Sequence, residues 1–476
     1  MNSFKQLFGG NIRQFGMVFA LVALIIFFQL ATGGSVLTSG NVQNIVNGYA
    51  YVLVLAIGMV MVIIMGHIDL SVGSVAAFVG ISVAMAMQNW NLPWWAGILF
   101  GIVLGVAAGA WQGFWVAYVG IPAFIVTLAG MLLFRGLNQL VGKQNTIPVP
   151  DGFQVIGNGY LPDGVPNAAF NYPTLIIGLL AIAYLVWSTL RQRARAHKAG
   201  TTVAPVWVDV VRTVVICAVI AYVAYLFATG RPGTSFPVAG IILVVLVVIY
   251  QFITSRTVGG RAIYAVGGNR QAARLSGVND KKVDFFIMTN MSVLAAVAGM
   301  MFIARSQASG PLDGTGWELD AIAAVFIGGA AVSGGVGTVI GSIVGGLVMA
   351  VLNNGLQLMN AGTAWTSVIK GLVLLIAVAF DVWSKKQGKP SLIGAIMRNL
   401  GGNNAKPEAA AAAAGVTVPP VKASEAPAAP ATSGTKGAES AKSADVTENL
   451  PAEPPADLAT PVVPKADADA ADTTNH

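Results

Sequence analysis

Asp69 is the only acid among the first 150 residues, and it lies between two long apolar runs. A carboxylate placed there can work a gate, touch a substrate or cap a helix. The run Asp69-Leu70-Ser71-Val72-Gly73-Ser74 opens a helical pattern, so capping at a hinge stands beside gating and direct contact as readings of Asp69 and Ser71. His67 is two residues upstream. A metal site would need more ligands nearby and the sequence supplies none, so His67 reads as a local hydrogen-bond partner. Ser333 and Gly335 hold comparable positions in a second Gly/Ser turn near the other end of the chain. Three neutral amides, Gln112, Asn353 and Asn354, fall in apolar helices. With an aromatic face such as Trp111 or Trp115 they suit a path for sugar-like solutes. They equally suit interhelical hydrogen bonds worth about 0.6–2 kcal/mol. Arg135 either snorkels to an interface or pairs with Glu318 or Asp320, and Lys370 is a weaker pore candidate. No nucleophile–base set and no metal cluster is visible, which argues against an enzyme.

The elements that must position these residues are apolar. Of 476 residues, 55% are hydrophobic and 10% charged, against about 25% charged in an average soluble domain. The class is an all-α polytopic membrane protein. One cysteine, Cys217, excludes a disulfide scaffold. A span needs about 20 apolar residues to cross roughly 30 Å. Candidate spans lie at 14–31, 43–65, 74–88, 95–118, 122–140, 173–190, 207–228, 237–254, 284–304, 318–332, 336–358 and 365–383. That predicts ten to twelve helices, because 318–332 and 336–358 also fit one re-entrant hairpin plus a span. No small-residue cleavage site follows the first segment, which therefore reads as an uncleaved anchor.

Residues 1–400 form the predicted membrane domain, with a net charge of +12, and 401–476 a tail with a net charge of −5. The tail is rich in Ala and Pro and lacks aromatic residues, so it is expected to be disordered and cytoplasmic. Basic residues gather in alternate loops, which places both termini in the cytoplasm and argues against nucleic-acid binding. The loop at 142–172 then lies outside and is a candidate docking surface. A weak internal repeat pairs Gly66–Gly73 with Gly328–Gly335, and Ala110–Gly113 with Leu352–Gly355. In this topology it is a parallel repeat; Gly and Ser also recur in membrane helices simply because they permit close packing.

The inner loop Ser255–Val283 is long and basic. Asn269–Gly277 suits a short amphipathic helix, with Asn269 as N-cap and Gly277 just past the C-terminus. Such a helix offers a soluble partner a handle, or holds a basic loop against anionic lipid.

Gly260–Asn269 followed by 272–279 resembles the coupling region of bacterial ABC importer permeases of the ribose and xylose type. So do Gly66–Ser74, Phe124–Met131 with Arg135-Gly136-Leu137, Glu318–Ala324, and the run from Ile327-Gly328-Gly329 to Asn353-Asn354-Gly355. The similarity spans residues 14–384 with the motifs in family order. The two spans around 173–228 and His67 resemble the longer xylose or multiple-monosaccharide subgroup.

The resemblance implies a type II ABC importer-like permease fold, usually a homodimer, in the bacterial inner membrane. It implies an extracytoplasmic sugar-binding protein and a cytoplasmic ATPase that uses ATP and Mg. The ATPase would engage Gly267, Gly268, Asn269, Arg270, Ala273, Arg274, Ser276 and Gly277. This chain would bind no cofactor itself, in keeping with the lack of a G-x-x-x-x-G-K-[ST] loop. The expected function is permeation of xylose or a related pentose or hexose. A branched-chain amino acid or other small solute is the alternative. An ion-coupled secondary transporter is less favoured, since Asp69 alone qualifies as a coupling acid.

Overall fold

Glycine recurs every fourth residue from Gly97 through Gly101, Gly105 and Gly109 to Gly113, and this ridge organises the centre of the molecule. A computed structural model describes residues 12–165, 170–198, 206–230 and 233–386. The segment 401–476 lies outside the described residues.

The helices are α1 (Ile12–Ala31), α2 (Ser39–Ile64), α3 (Val72–Asn89), α4 (Trp94–Phe114) with a π-helical extension Trp115–Val119, and α5 (Ala123–Val141). Strand β1 (Ile147–Pro148) and helix α6 (Asp151–Asn158) follow. Next come α7 (Tyr172–Lys198), α8 (Val206–Ala228), α9 (Val238–Arg256), α10 (Val258–Gly268), α11 (Arg270–Leu275) and α12 (Asp280–Ser306). Strand β2 (Ala308–Ser309) pairs antiparallel with β1. The described chain ends with α13 (Trp317–Ile327), α14 (Val339–Leu358) and α15 (Thr363–Lys386).

Nine of the described helices are long and apolar enough to cross a membrane, and α1 and α15 carry shorter apolar stretches. The fold is all-α and polytopic. Of the twelve segments read from sequence, 318–332 is not a full-length spanning helix. Its helix α13 has 11 residues, about 16 Å, half the hydrocarbon thickness. It pairs with α14, and the 328–338 turn after it meets Ile64 at the end opposite Arg305, so the chain runs here from one end of the bundle to the other through an irregular lead-in and a short helix, not through a re-entrant hairpin.

Helix α12 packs backbone to backbone on the α4 ridge. A Cβ at Gly109 would sit 2.6 Å from Cα of Thr289, and one at Gly105 2.7 Å from Cβ of Ala296. Close approach of this kind drives helix association where lipid removes the hydrophobic incentive. Helices α2 and α3 pack on the other sides of α12, and 83% of the apolar window of α2 is buried.

Helices α2 and α14 lie antiparallel. The Ile64 carbonyl, at the end of α2, accepts from the Gly335 N–H just before α14 (2.8 Å), and Asn41 near the start of α2 bonds Asn354 near the end of α14. The turns at 66–71 and 328–338 therefore meet at one end of the bundle. The second segment pair of the proposed repeat separates. Gln112 lies with the first turn, whereas Asn354 is at the opposite end.

Candidate functional site

Asn269 starts α11 by accepting a hydrogen bond from the Ala272 N–H (3.0 Å), and Gly277 ends it at φ +83°. Between these caps Arg270 and Arg274 are four residues apart and share one helix face. Asn279 caps α12 in turn, through the Lys282 N–H (3.0 Å), which sets Asp280 and Asp284 four apart on the facing helix. The two pairs interlock. Arg270 Nη1 is 2.5 Å from Asp284 Oδ2 and 3.0 Å from Asp280 Oδ2, and Arg274 Nη2 is 2.6 Å from Asp280 Oδ2. Hydrogen bonding to Asp284 raises the Arg270 guanidinium above its ordinary range, and bonding to Asp280 does the same for Arg274.

His67 joins this network through Nε2, 2.9 Å from Asp284 Oδ1. Asp284 thus links the turn after α2 to the α11 segment. Behind it, a Cβ on Gly267 would collide with the Ile64 carbonyl, and one on Gly335 would lie 3.0 Å from Cα of Gly268. No side chain fits between the α10 end and the two turns. Ala273 is buried against the bundle, whereas Arg274, Ser276 and Gly277 are exposed. Leu275 is 91% exposed, an apolar side chain with nothing covering it. A cavity of about 590 Å³ opens beside His67, Arg270 and Asp284, walled on its far side by the π-helical end of α4.

Asp69 and Ser71 are fully buried where the chain rises into α3. Asp69 Oδ1 accepts from the Ser71 N–H (2.8 Å) and lies 2.6 Å from Ser71 Oγ, while Oδ2 has no partner. Burial pushes the Asp69 carboxyl up to about 6, against the pull of the two Ser71 bonds. Gln112 Nε2 donates to Ser71 Oγ (2.8 Å), so Gln112 belongs to this buried knot. Ser333 lies exposed in the turn before α14. Thr127 reinforces the first turn by donating to the Ile68 carbonyl (3.2 Å).

The remaining path residues scatter. Trp111 is 39% exposed and meets Phe134 edge-on at 6.0 Å, away from Gln112's partners. Asn353 is buried with Nδ2 unpartnered, and Asn354 forms a reciprocal amide pair with Asn41 (2.8 Å each way). These four residues do not form one continuous lining. Asp320 pairs with Lys370 (3.0 Å), not with Arg135. A second cavity of about 490 Å³ lies at the Asn41–Asn354 end, between α2, α12 and α14. Among the described residues no three His, Cys, Asp or Glu side chains group as metal ligands.

The family described as "branched-chain amino acid transport system / permease component" matches residues 41–378. This chain belongs to that permease family. It is 38% identical over 382 residues to the xylose transport system permease protein XylH of Haemophilus influenzae, covering 79% of this chain and 98% of that relative. It is 38% identical to the XylH of Escherichia coli K12, over 79% of this chain and 93% of the relative. The ribose import permease protein RbsC of Escherichia coli K12 is 32% identical, over 77% and 94%. No solved structure matches the chain.

Within the permease, sequence reasoning singled out Arg270 and Arg274 but passed over Asp280 and Asp284. The signal was present: two arginines and two aspartates, each pair at spacing four, separated by the Gly277 cap. That arrangement folds two short helical faces onto each other and neutralises both.

Proposed function

We propose that this permease is the membrane subunit of an ATP-driven importer that moves a monosaccharide, xylose or a related pentose or hexose, across a bacterial inner membrane. The names and coverage of its relatives support the sugar. The ion-pair link from Arg270 through Asp284 to His67 carries the mechanism. It connects a surface segment to the turn that precedes α3, so that force applied at one is delivered to the other.

In this reading a separate ATPase, holding ATP and Mg, docks on the α10–α11 face, with Leu275 as an apolar contact for it. That face and both termini are cytoplasmic, in accord with the basic residues gathered there. An extracytoplasmic binding protein delivers the sugar at the opposite end, near α6, and a second copy of this chain completes the translocation pore. The knot of Asp69, Ser71 and Gln112 acts as a hinge, and Ser333 and Gly335 are its counterparts in the second turn.

The test is ATP-dependent uptake by the permease reconstituted with its ATPase and binding protein. Labelled D-xylose or D-ribose should accumulate and L-leucine should not. Accumulation of leucine without either sugar would favour the amino-acid transport that the family description names. Cysteines placed singly at 270–278 should crosslink to the ATPase. No crosslink from any of them would reject the docking face.

A further inference from the structure

The cavity at the Asn41–Asn354 end has a composition that the coupling face lacks. Its wall carries the amides of Asn41, Asn44, Asn354 and Gln357. Tyr49, Tyr51 and the Arg305 guanidinium complete the polar lining, and no carboxylate takes part in it. At about 490 Å³ it falls within the ~300–1,000 Å³ range of small-molecule sites.

Its parts are held in place. The Asn41–Asn354 pair joins α2 to α14, and Asn41 Nδ2 also donates to the Val36 carbonyl (3.0 Å). Arg305 lies in the last turn of α12, and Asn158 of α6 donates to its carbonyl (3.0 Å). Tyr51 is wedged against Trp317 and Phe302, with ring centroids 4.5 and 5.1 Å away. Other groups are left free to bind. Among the described residues no side-chain hydrogen bond engages the amides of Asn44 or Gln357, and no carboxylate lies within 4 Å of the Arg305 guanidinium.

Amides both donate and accept, a guanidinium donates in a planar fork, and a tyrosine offers a ring face and a hydroxyl. A ring of neutral hydroxyls satisfies that set. A zwitterionic amino acid fits it less well, because its ammonium finds only neutral acceptors beside a guanidinium, and the nearby Asp320 is already paired with Lys370. We propose that this cavity is a receiving site for an uncharged monosaccharide, with Asn44, Gln357 and Arg305 as hydroxyl-binding residues held open by the Asn41–Asn354 pair. The inference rests on the importer reading above and locates the sugar at the end remote from the ATPase face.

The experiment is cysteine protection in the intact importer in nanodiscs, in a Cys217→Ser background. Gly48→Cys and Leu358→Cys, at two wall positions with no hydroxyl-binding role, are labelled with a hydrophilic maleimide, and Asn145→Cys, exposed in the loop before β1, serves as control. D-xylose or D-ribose should slow labelling at 48 and 358 at least twofold, leave 145 unchanged, and have no counterpart in L-leucine. Two positions are used so that a fault in one variant does not decide the outcome. Labelling at both positions indifferent to every monosaccharide, in variants that still take up sugar, would overturn the site and leave the importer reading standing. Protection by leucine but not by sugar would overturn the substrate class. If the unmodified importer moves no monosaccharide, the importer reading and this inference fall together.

Discussion

Helices α2 and α8 are almost equally apolar, with mean hydropathies of 2.1 and 2.3, yet 83% of the α2 window is buried in protein and only 11% of the α8 window. The α7–α8 hairpin packs chiefly on itself and shows Leu179, Leu180, Val214 and Val215 to its surroundings. In a bilayer, apolar character says only that a helix can cross. What draws a helix to the centre is the chance of close backbone approach, which α4 offers to α12 at Gly105, Gly109 and Gly113. The hairpin has one such point, where Gly178 meets Ala224.

The sharpest way to break this contrast is to fill the ridge. Gly109→Leu drives a side chain into the Thr289 backbone, so we expect a loss of at least about 3 kcal/mol and failure to recover folded protein from detergent, read by size-exclusion chromatography. Normal recovery would show that the ridge is not what holds α12.

Asp284→Asn should be the next largest effect. It removes the anionic partner of Arg270 and His67 and should cost about 1–3 kcal/mol. It should also uncouple ATP hydrolysis from uptake. A double-mutant cycle with Arg270→Gln should give an interaction energy of about 0.5–3 kcal/mol. Additivity would mean that the contact does not link the two segments.

Asp69 tests the buried turn by pH. Its carboxyl is raised by burial to about 6 from an ordinary 3.8. The folded state therefore binds the proton more tightly than the unfolded chain, and stability contributed by the protonated form is lost as pH rises through 6. Between pH 4 and 7 the wild-type chain should lose stability relative to Asp69→Asn, by on the order of 3 kcal/mol at most. Asp69→Ala forfeits the Ser71 bonds and should cost about 0.5–2 kcal/mol at low pH. Parallel melting curves for wild type and Asn across that range would refute the burial argument.

The smallest effect is expected in the hairpin. Leu180→Ala, at a side chain 63% exposed on α7, should change stability by less than about 0.5 kcal/mol in a thermal melt.

Much of this was legible beforehand. Apolar run length located the spans, because the bilayer imposes a length. The caps of α11 were readable because Asn269 and Gly277 act on their own neighbours. The shortness of α13 was not, since an 11-residue helix with an irregular lead-in and a full-length helical span have the same apolar content. The amides misled for a related reason. Gln112 and Asn354 have the same chemistry, and only the direction of α4 against α14 puts one in a buried knot and the other at a cavity wall. The glycine spacing of α4 did carry a message, but from Gly101 to Gly113 it concerns α12, a neighbour far away in sequence.

The contact of Gly267 with the Ile64 carbonyl has a mechanical consequence. Side chains act as springs, because rotamers give before backbones do. Here main chain rests on main chain, and Gly335 closes the joint with its N–H. A load on the α10–α11 arm would therefore reach both turns with little slack. The joint is stiff in compression, whereas in tension the arm is held through side chains, by Tyr264 Oη donating to the Gly337 carbonyl (2.7 Å) and by the Arg270–Asp284–His67 network, so pushing and pulling on this arm are not equivalent operations.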